Sequence, residues 1–218
     1  MLYFAIDFET YYDSDYGITE LGPWGYIHDK RFDPYLVAIY GEEMAWVGHP
    51  KDFDWNFFSG LEEEYAFIAH NAPFDRQVFN RAVELGIIPA FVRPSAWYCT
   101  SNLSMYLAVG RSLRDAAKNL LGIPLNKDIR DYMRGKTWAD AVENGKDKEL
   151  LAYGLSDAEK CYKIWTGFSH LWPQEERDVA EITFQQQVRG IFVDKNTVEK
   201  AIPEIELAYK NALAAILS

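Results

Sequence analysis

The stretch Leu2-Tyr3-Phe4-Ala5-Ile6-Asp7-Phe8-Glu9-Thr10 decides how this chain is read. Residues 2–8 have the apolar and aromatic character of a strand. Two acids, Asp7 and Glu9, sit at i and i+2 at its end. Alternation along a strand puts both carboxyls on one face, about 7 Å apart. Most Asp-x-Glu pairs of this kind are simply solvated strand ends. Here the rest of the strand is apolar, which points to a central strand whose tip carries acid.

Working outward, Tyr35–Tyr40 and Ala45–Val47 read as two further strands turned by Gly41-Glu42-Glu43, and Tyr65–Ala69 as another. The segment Tyr11–Pro34, rich in Gly, Asp and aromatics without a clean period, reads as an irregular loop with a short helix. Phe74, Val78, Phe79, Ala82 and Val83 have helical spacing, with Pro73 near the first helical position and Gly86 as the stop. From Trp97 onward the pattern is helical. Cys99–Leu107 and Ser112–Leu121 are two helices, the second capped by Ser112 and ended by Gly122 and Pro124. Lys146–Leu171 is a longer one that Gly154 is expected to bend. Strands first and clustered helices afterwards imply an α/β fold, a mixed sheet covered by helices. Pro173 marks a boundary. Beyond it Glu175–Arg189 and Asn196–Leu217, the latter interrupted by Pro203, read as helices around an extended turn at 190–194.

With 218 residues, 49% hydrophobic and 25% charged, the chain is globular and not disordered. No apolar run approaches the ~20 residues of a membrane span. A basic segment leading into a long apolar one is also missing at the N-terminus. The expectation is therefore a cytoplasmic protein without a membrane partner. Cys99 and Cys161 are the only cysteines and form no metal or disulfide pattern, so both read as buried reduced thiols. The four histidines lack ligand spacing. A net charge of −11 argues against coating long duplexes, whose affinity comes from neutralising phosphates. It leaves room for an enzyme that touches a few nucleotides in a pocket, and carboxylates that hold divalent cations would push the balance the same way.

Two more acids stand out. Asp75 ends His70-Asn71-Ala72-Pro73-Phe74-Asp75, which alone reads as ordinary capping by Asn71 with Asp75 in the first helical turn. In Tyr153-Gly154-Leu155-Ser156-Asp157 a spacing of four places phenol and carboxylate on one helix face, a turn apart. Alone, that pair reads as a core tyrosine with an exposed acid.

Taken in order, Asp7-Phe8-Glu9-Thr10, His70-Asn71-Ala72-Pro73-Phe74-Asp75 and Tyr153-x-x-x-Asp157 resemble the tyrosine branch of the DEDD superfamily of 3′–5′ exonucleases. In detail they look like the proofreading domain of phage-type family A DNA polymerases. The resemblance covers residues 1–172. It extends more faintly into 173–218, where Glu181 to Asp194, ending in Arg189-Gly190-Ile191-Phe192-Val193-Asp194, is similar to the linker into the thumb of such a polymerase. Palm and fingers are absent, so the chain is either part of a polymerase or a free-standing relative. The resemblance implies a ribonuclease H-like mixed β-sheet flanked by helices, with a C-terminal helical extension. It implies two divalent cations, Mg²⁺ or Mn²⁺, which suit oxygen ligands and two-metal phosphodiester hydrolysis. Asp7 would bridge both ions, Glu9 and Asp157 would help hold the nucleophile-side ion, and Asp75 the second, through water. Tyr153 would orient the attacking water, its phenol pKa near 10 making it a poor base. Thr10 and Asn71 would position the terminal nucleotide. Implied partners are the 3′ end of single-stranded DNA and a polymerase domain in cis, in a phage or bacterial host cytoplasm. Two alternatives stay open: an exoribonuclease of the ribonuclease D type, and a catalytically silent nucleic-acid-binding module.

Overall fold

The computed structural model describes residues 1–124 and 128–217. The chain divides into two compact units, Met1–Arg177 and Asp178–Ser218.

The first unit is built on a five-stranded sheet. β1 (Leu2–Glu9) is followed by α1 (Ile18–His28), β2 (Leu36–Tyr40), β3 (Ala45–Gly48), α2 (Asn56–Ser59), β4 (Tyr65–Ala69), α3 (Ala72–Glu84) and β5 (Ala96–Cys99). Strand order is β3-β2-β1-β4-β5. β2 runs antiparallel to both β1 and β3, whereas β1, β4 and β5 are parallel. This is the ribonuclease H-like arrangement expected. β2 and β4 are buried on both faces, which is why they read as continuous apolar runs.

Alternation along β1 sorts its side chains between two cores. Phe4, Ile6 and Phe8 join one cluster with Tyr26 and Ile27 of α1, Phe58 of α2, and Val78 and Phe79 of α3. The opposite face is covered by the helices that follow. These are α4 (Thr100–Tyr106), α5 (Leu113–Ala116) with a π-turn at Ala117–Leu121, α6 (Asp128–Tyr132), α7 (Trp138–Glu143) and α8 (Asp147–Phe168). α8 packs across β3, β2, β1 and β4. Its buried Leu150, Gly154, Ala158, Cys161 and Trp165 recur at helical spacing.

Several expectations change. The helix expected within 11–34 is α1, eleven residues long, which breaks at Gly22 (φ 68, ψ 162) just before Pro23 and continues. The chain does not turn helical at Trp97, because residues 96–99 are an edge strand held by parallel pairing to β4. Nor does Gly154 bend its helix. A Cβ there would stand 2.8 Å from Leu36 Cδ2, so the glycine serves close helix–sheet approach. Ser112 does cap its helix, accepting from Asp115 N at 3.1 Å, and Gly122 is left-handed as a terminator.

The second unit continues α9 (Gln174–Arg189) and contains α10 (Lys195–Leu217). Gly190 (φ 70) ends α9, and Asp194 accepts from the N–H groups of Asn196 and Thr197 to start α10. Pro203 gives up one helix hydrogen bond without interrupting the helix. Among the described residues no helix is long and apolar enough to cross a membrane.

Candidate active site

β1 outruns β4. Its pairing with β4 stops at Ala5, while pairing with β2 continues to Glu9. The freed edge is taken up by the start of α3: Phe8 N donates to Asp75 Oδ1 at 3.2 Å. That bond draws Asp75 inward until the residue is only 4% exposed, so it is no solvated first-turn acid. Asn71 occupies the cap position of α3, but its side chain makes no capping bond.

On the other face, Asp7 and Glu9 point toward α8. Tyr153 and Asp157 lie one turn apart there, close enough for the Asp157 charge to act on the Tyr153 phenol. The close approach at Gly154, between them in sequence, holds this pair against the sheet. Asp7, Glu9, Thr10, Asn71, Asp75, Tyr153 and Asp157 all line one cavity of about 1000 Å³. It lies at the carboxyl ends of the parallel strands, where α/β sheets place their ligand sites.

The electrostatics follow from this crowding. The Asp7 carboxyl lies well above the usual carboxylate range, first because it is buried, then because Glu9, Asp75 and Asp157 repel its charge. Asp75 is pushed up to about 7 by burial, against the opposing hydrogen bond from Phe8 N. Burial and the charges of Glu9, Asp157 and Asp7 drive the Tyr153 phenol far above its ordinary value, so it stays protonated. The Thr10 hydroxyl is 2.6 Å from Tyr26 Oη, which itself donates to Tyr11 O at 2.6 Å. Burial raises the Tyr26 phenol to about 12.

The donor set suits a hard divalent cation. Four carboxylates whose charges penalise one another surround the space, and a cation would relieve that repulsion. The imidazole of His70 on the same wall has both nitrogens engaged, by Thr100 Oγ1 and by Arg111 O, each at 2.9 Å. Among the described residues no three Asp, Glu, His or Cys side chains are arranged to hold a metal ion by themselves. Cys99 and Cys161 are buried free thiols, as expected.

Sequence reasoning missed part of the lining. Arg111, Arg130 and Arg134 face the cavity together with Tyr12 and Tyr26. Only His70 carried a signal, as the first residue of the segment that ends in Asp75.

No protein-family model and no curated protein matches the chain. Solved structures do. A nuclease in its apo form superposes with a TM-score of 0.53 at 18% identity, covering 84% of this chain and 79% of its own. The catalytic core of RRP6 from Trypanosoma brucei gives 0.53 at 14%, covering 85% of this chain and 45% of its own. NrnC from Brucella melitensis, bound to pGG, gives 0.51 at 22%, covering 84% and 80%. The sheet and its covering helices thus form a ribonuclease H-like fold that this chain shares with solved nucleases.

Proposed function

We propose that this protein is a metal-dependent 3′–5′ exonuclease that releases nucleoside 5′-monophosphates from DNA 3′ ends, as the proofreading part of a family A DNA polymerase. The observation that supports it best is the gathering of Asp7, Glu9, Asp75, Asp157 and Tyr153 around one cavity on a fold shared with nucleases. The polymerase context rests on the sequence resemblance, including that of the segment Glu181–Asp194.

In this reading Asp7, Glu9, Asp75 and Asp157 would hold two divalent cations, with water and the substrate phosphate completing the oxygen ligands. Such ions supply an activated water and stabilise charge on the leaving oxygen. Tyr153, held protonated, would orient the attacking water rather than take a proton from it. Asp75 has one oxygen tied to Phe8 N and so keeps its orientation as its charge changes. Thr10 and Asn71, both on the cavity wall, would position the terminal nucleotide.

The test uses 5′-labelled single-stranded DNA and the matching RNA, with Mg²⁺ or Mn²⁺ against EDTA, and Asp7→Ala alongside. Shortening of DNA from its 3′ end that needs metal and is lost in Asp7→Ala is the expected result. A preference for RNA would transfer the reading to the ribonuclease D type. Absence of digestion by folded protein would overturn it in favour of a binding module.

A further inference from the structure

Three arginines on the cavity wall, Arg111, Arg130 and Arg134, form no ion pair among the described residues. In a chain with 33 acids against 22 lysines and arginines, an exposed guanidinium has abundant carboxylates to pair with. The cavity itself adds Asp13, Glu20 and Asp131 to the four acids already described. Without a compensating cationic surface, such a cavity would repel any polyanion.

The placement of Arg111 is enforced. The loop before α5 contains Ala108 at φ 56, the one non-glycine residue in the left-handed region among the described residues, at a cost of about 1–2 kcal/mol. Gly110 follows at φ 108, where a Cβ would lie 2.8 Å from Asp115 Cβ. Ser101 Oγ donates to the Arg111 carbonyl at 2.9 Å. His70 Nε2 lies 2.9 Å from the same oxygen and must carry the proton, since a carbonyl only accepts. Asn119 Nδ2 donates to Val109 O at 2.9 Å. Strain of this kind persists where the surroundings over-determine it, and it gathers at ligand clamps. Here the over-determined loop carries a guanidinium into the cavity from the β5 side.

Arg130 and Arg134 enter from the β1 side, on α6 and the turn after it. Tyr12 clamps that segment twice: its Oη donates to Arg130 O at 2.9 Å, and its carbonyl accepts from Gly135 N at 2.8 Å. Ile129 and Met133 bury the segment's apolar side with Tyr35, Leu36 and Leu150. The other side is left to the arginines.

We infer that Arg111 from one side, and Arg130 with Arg134 from the other, are phosphate-binding rims that hold the phosphodiesters flanking the reacting one. The inference rests on the exonuclease reading and adds to it the residues that hold the strand. Recognition is by charge and not by base, so the ligand class is single-stranded nucleic acid of either sugar. Three contacts give a slope of about −2 in log K against log salt, about 0.7 for each phosphate neutralised. The net charge of −11 would otherwise predict no such attraction.

The experiment measures anisotropy of a fluorescent oligothymidylate in EDTA over a salt series, with wild type and Arg111→Gln, Arg130→Gln and Arg134→Gln, folding being checked by circular dichroism. Each variant is expected to flatten the slope by about 0.7 and to weaken binding about tenfold. Arg111→Lys should recover the slope while regaining only part of the affinity. A wild-type slope near zero, or one unchanged in all three variants, overturns the rims. Metal-supported digestion by wild type is followed in parallel. Digestion with unchanged slopes would leave the exonuclease reading standing without the rims. Arginine-dependent binding without digestion would support the rims and overturn the exonuclease reading.

Discussion

Gly154 of α8 and Leu36 of β2 approach so closely that a Cβ on the glycine would stand 2.8 Å from Leu36 Cδ2, with Ala38 Cβ and Val47 Cγ2 each at 3.8 Å. Leu36 is fully buried and cannot swing into solvent. Gly154→Ala is therefore expected to cost about 1–3 kcal/mol through overpacking. It should also lower kcat, because Tyr153 and Asp157 flank the contact and would move with the helix. Urea unfolding and single-turnover digestion measure the two effects. Adding Leu36→Ala, which opens the space, should return part of the activity; equal loss in the single and double variants would contradict the account.

Tyr153 is tested by removal of one oxygen. Tyr153→Phe should fold normally and bind an oligonucleotide like wild type, while kcat falls about 100-fold or more. Because its phenol is held far above the ordinary value, the wild-type rate should show no basic limb from this group at any pH below about 10. A Tyr153→Phe enzyme with unchanged kcat would remove the residue from the mechanism.

Asp75 links the cavity to pH. Its folded pKa of about 7 is raised above the ordinary carboxylate value, mainly by burial. Its contribution to stability is fully present below about pH 4 and is lost as pH rises to about 7. Metal-free wild type should thus melt at progressively lower temperature from pH 5 to pH 8, more steeply than Asp75→Asn, whose amide oxygen still accepts from Phe8 N. Mn²⁺ should raise the melting temperature of wild type more at pH 8 than at pH 5, and that of Asp75→Asn much less. Differential scanning fluorimetry reads all four quantities, and parallel pH profiles for the two proteins would refute the assignment.

Arg177 secures the end of the first unit. Its guanidinium lies 5.2 Å from the Trp165 ring centroid, 5.7 Å from Tyr98 and 5.8 Å from Trp172, and its Nε donates to Trp172 O at 3.0 Å. Tyr98 and Trp165 are themselves stacked at 4.5 Å. Arg177→Ala is expected to lower stability by about 2 kcal/mol, with Arg177→Lys between the two because it keeps charge but loses the planar stack. The difference should persist at high salt, since among the described residues Arg177 forms no ion pair with a carboxylate. Chemical unfolding in low and high salt checks both points.

The chain by itself determined β1 and its acids. Alternation along a strand is a local rule, and it assigned Asp7 and Glu9 to one face with no partner in view. The Tyr153–Asp157 pair was legible for the same reason, as a helical spacing of four. Ser112 and Gly122 carried their capping roles in their own side chains, or lack of one. None of these needed a distant residue.

The rest was decided by contacts between segments far apart in sequence. Residues 96–99 are a strand only because β4 offers a free edge, and four residues carry too little pattern to announce it. Gly154 looks like a helix weakness until Leu36 is placed against it. Asp75 looks like an ordinary first-turn acid until the N–H of Phe8 draws it under the sheet and burial raises its pKa. Arg111, Arg130 and Arg134 have no periodicity at all, and only the fold sets them around the acids. Local rules act over a few residues and survive in the sequence. Burial, close approach and electrostatic coupling act through space, so they exist only once the chain has folded.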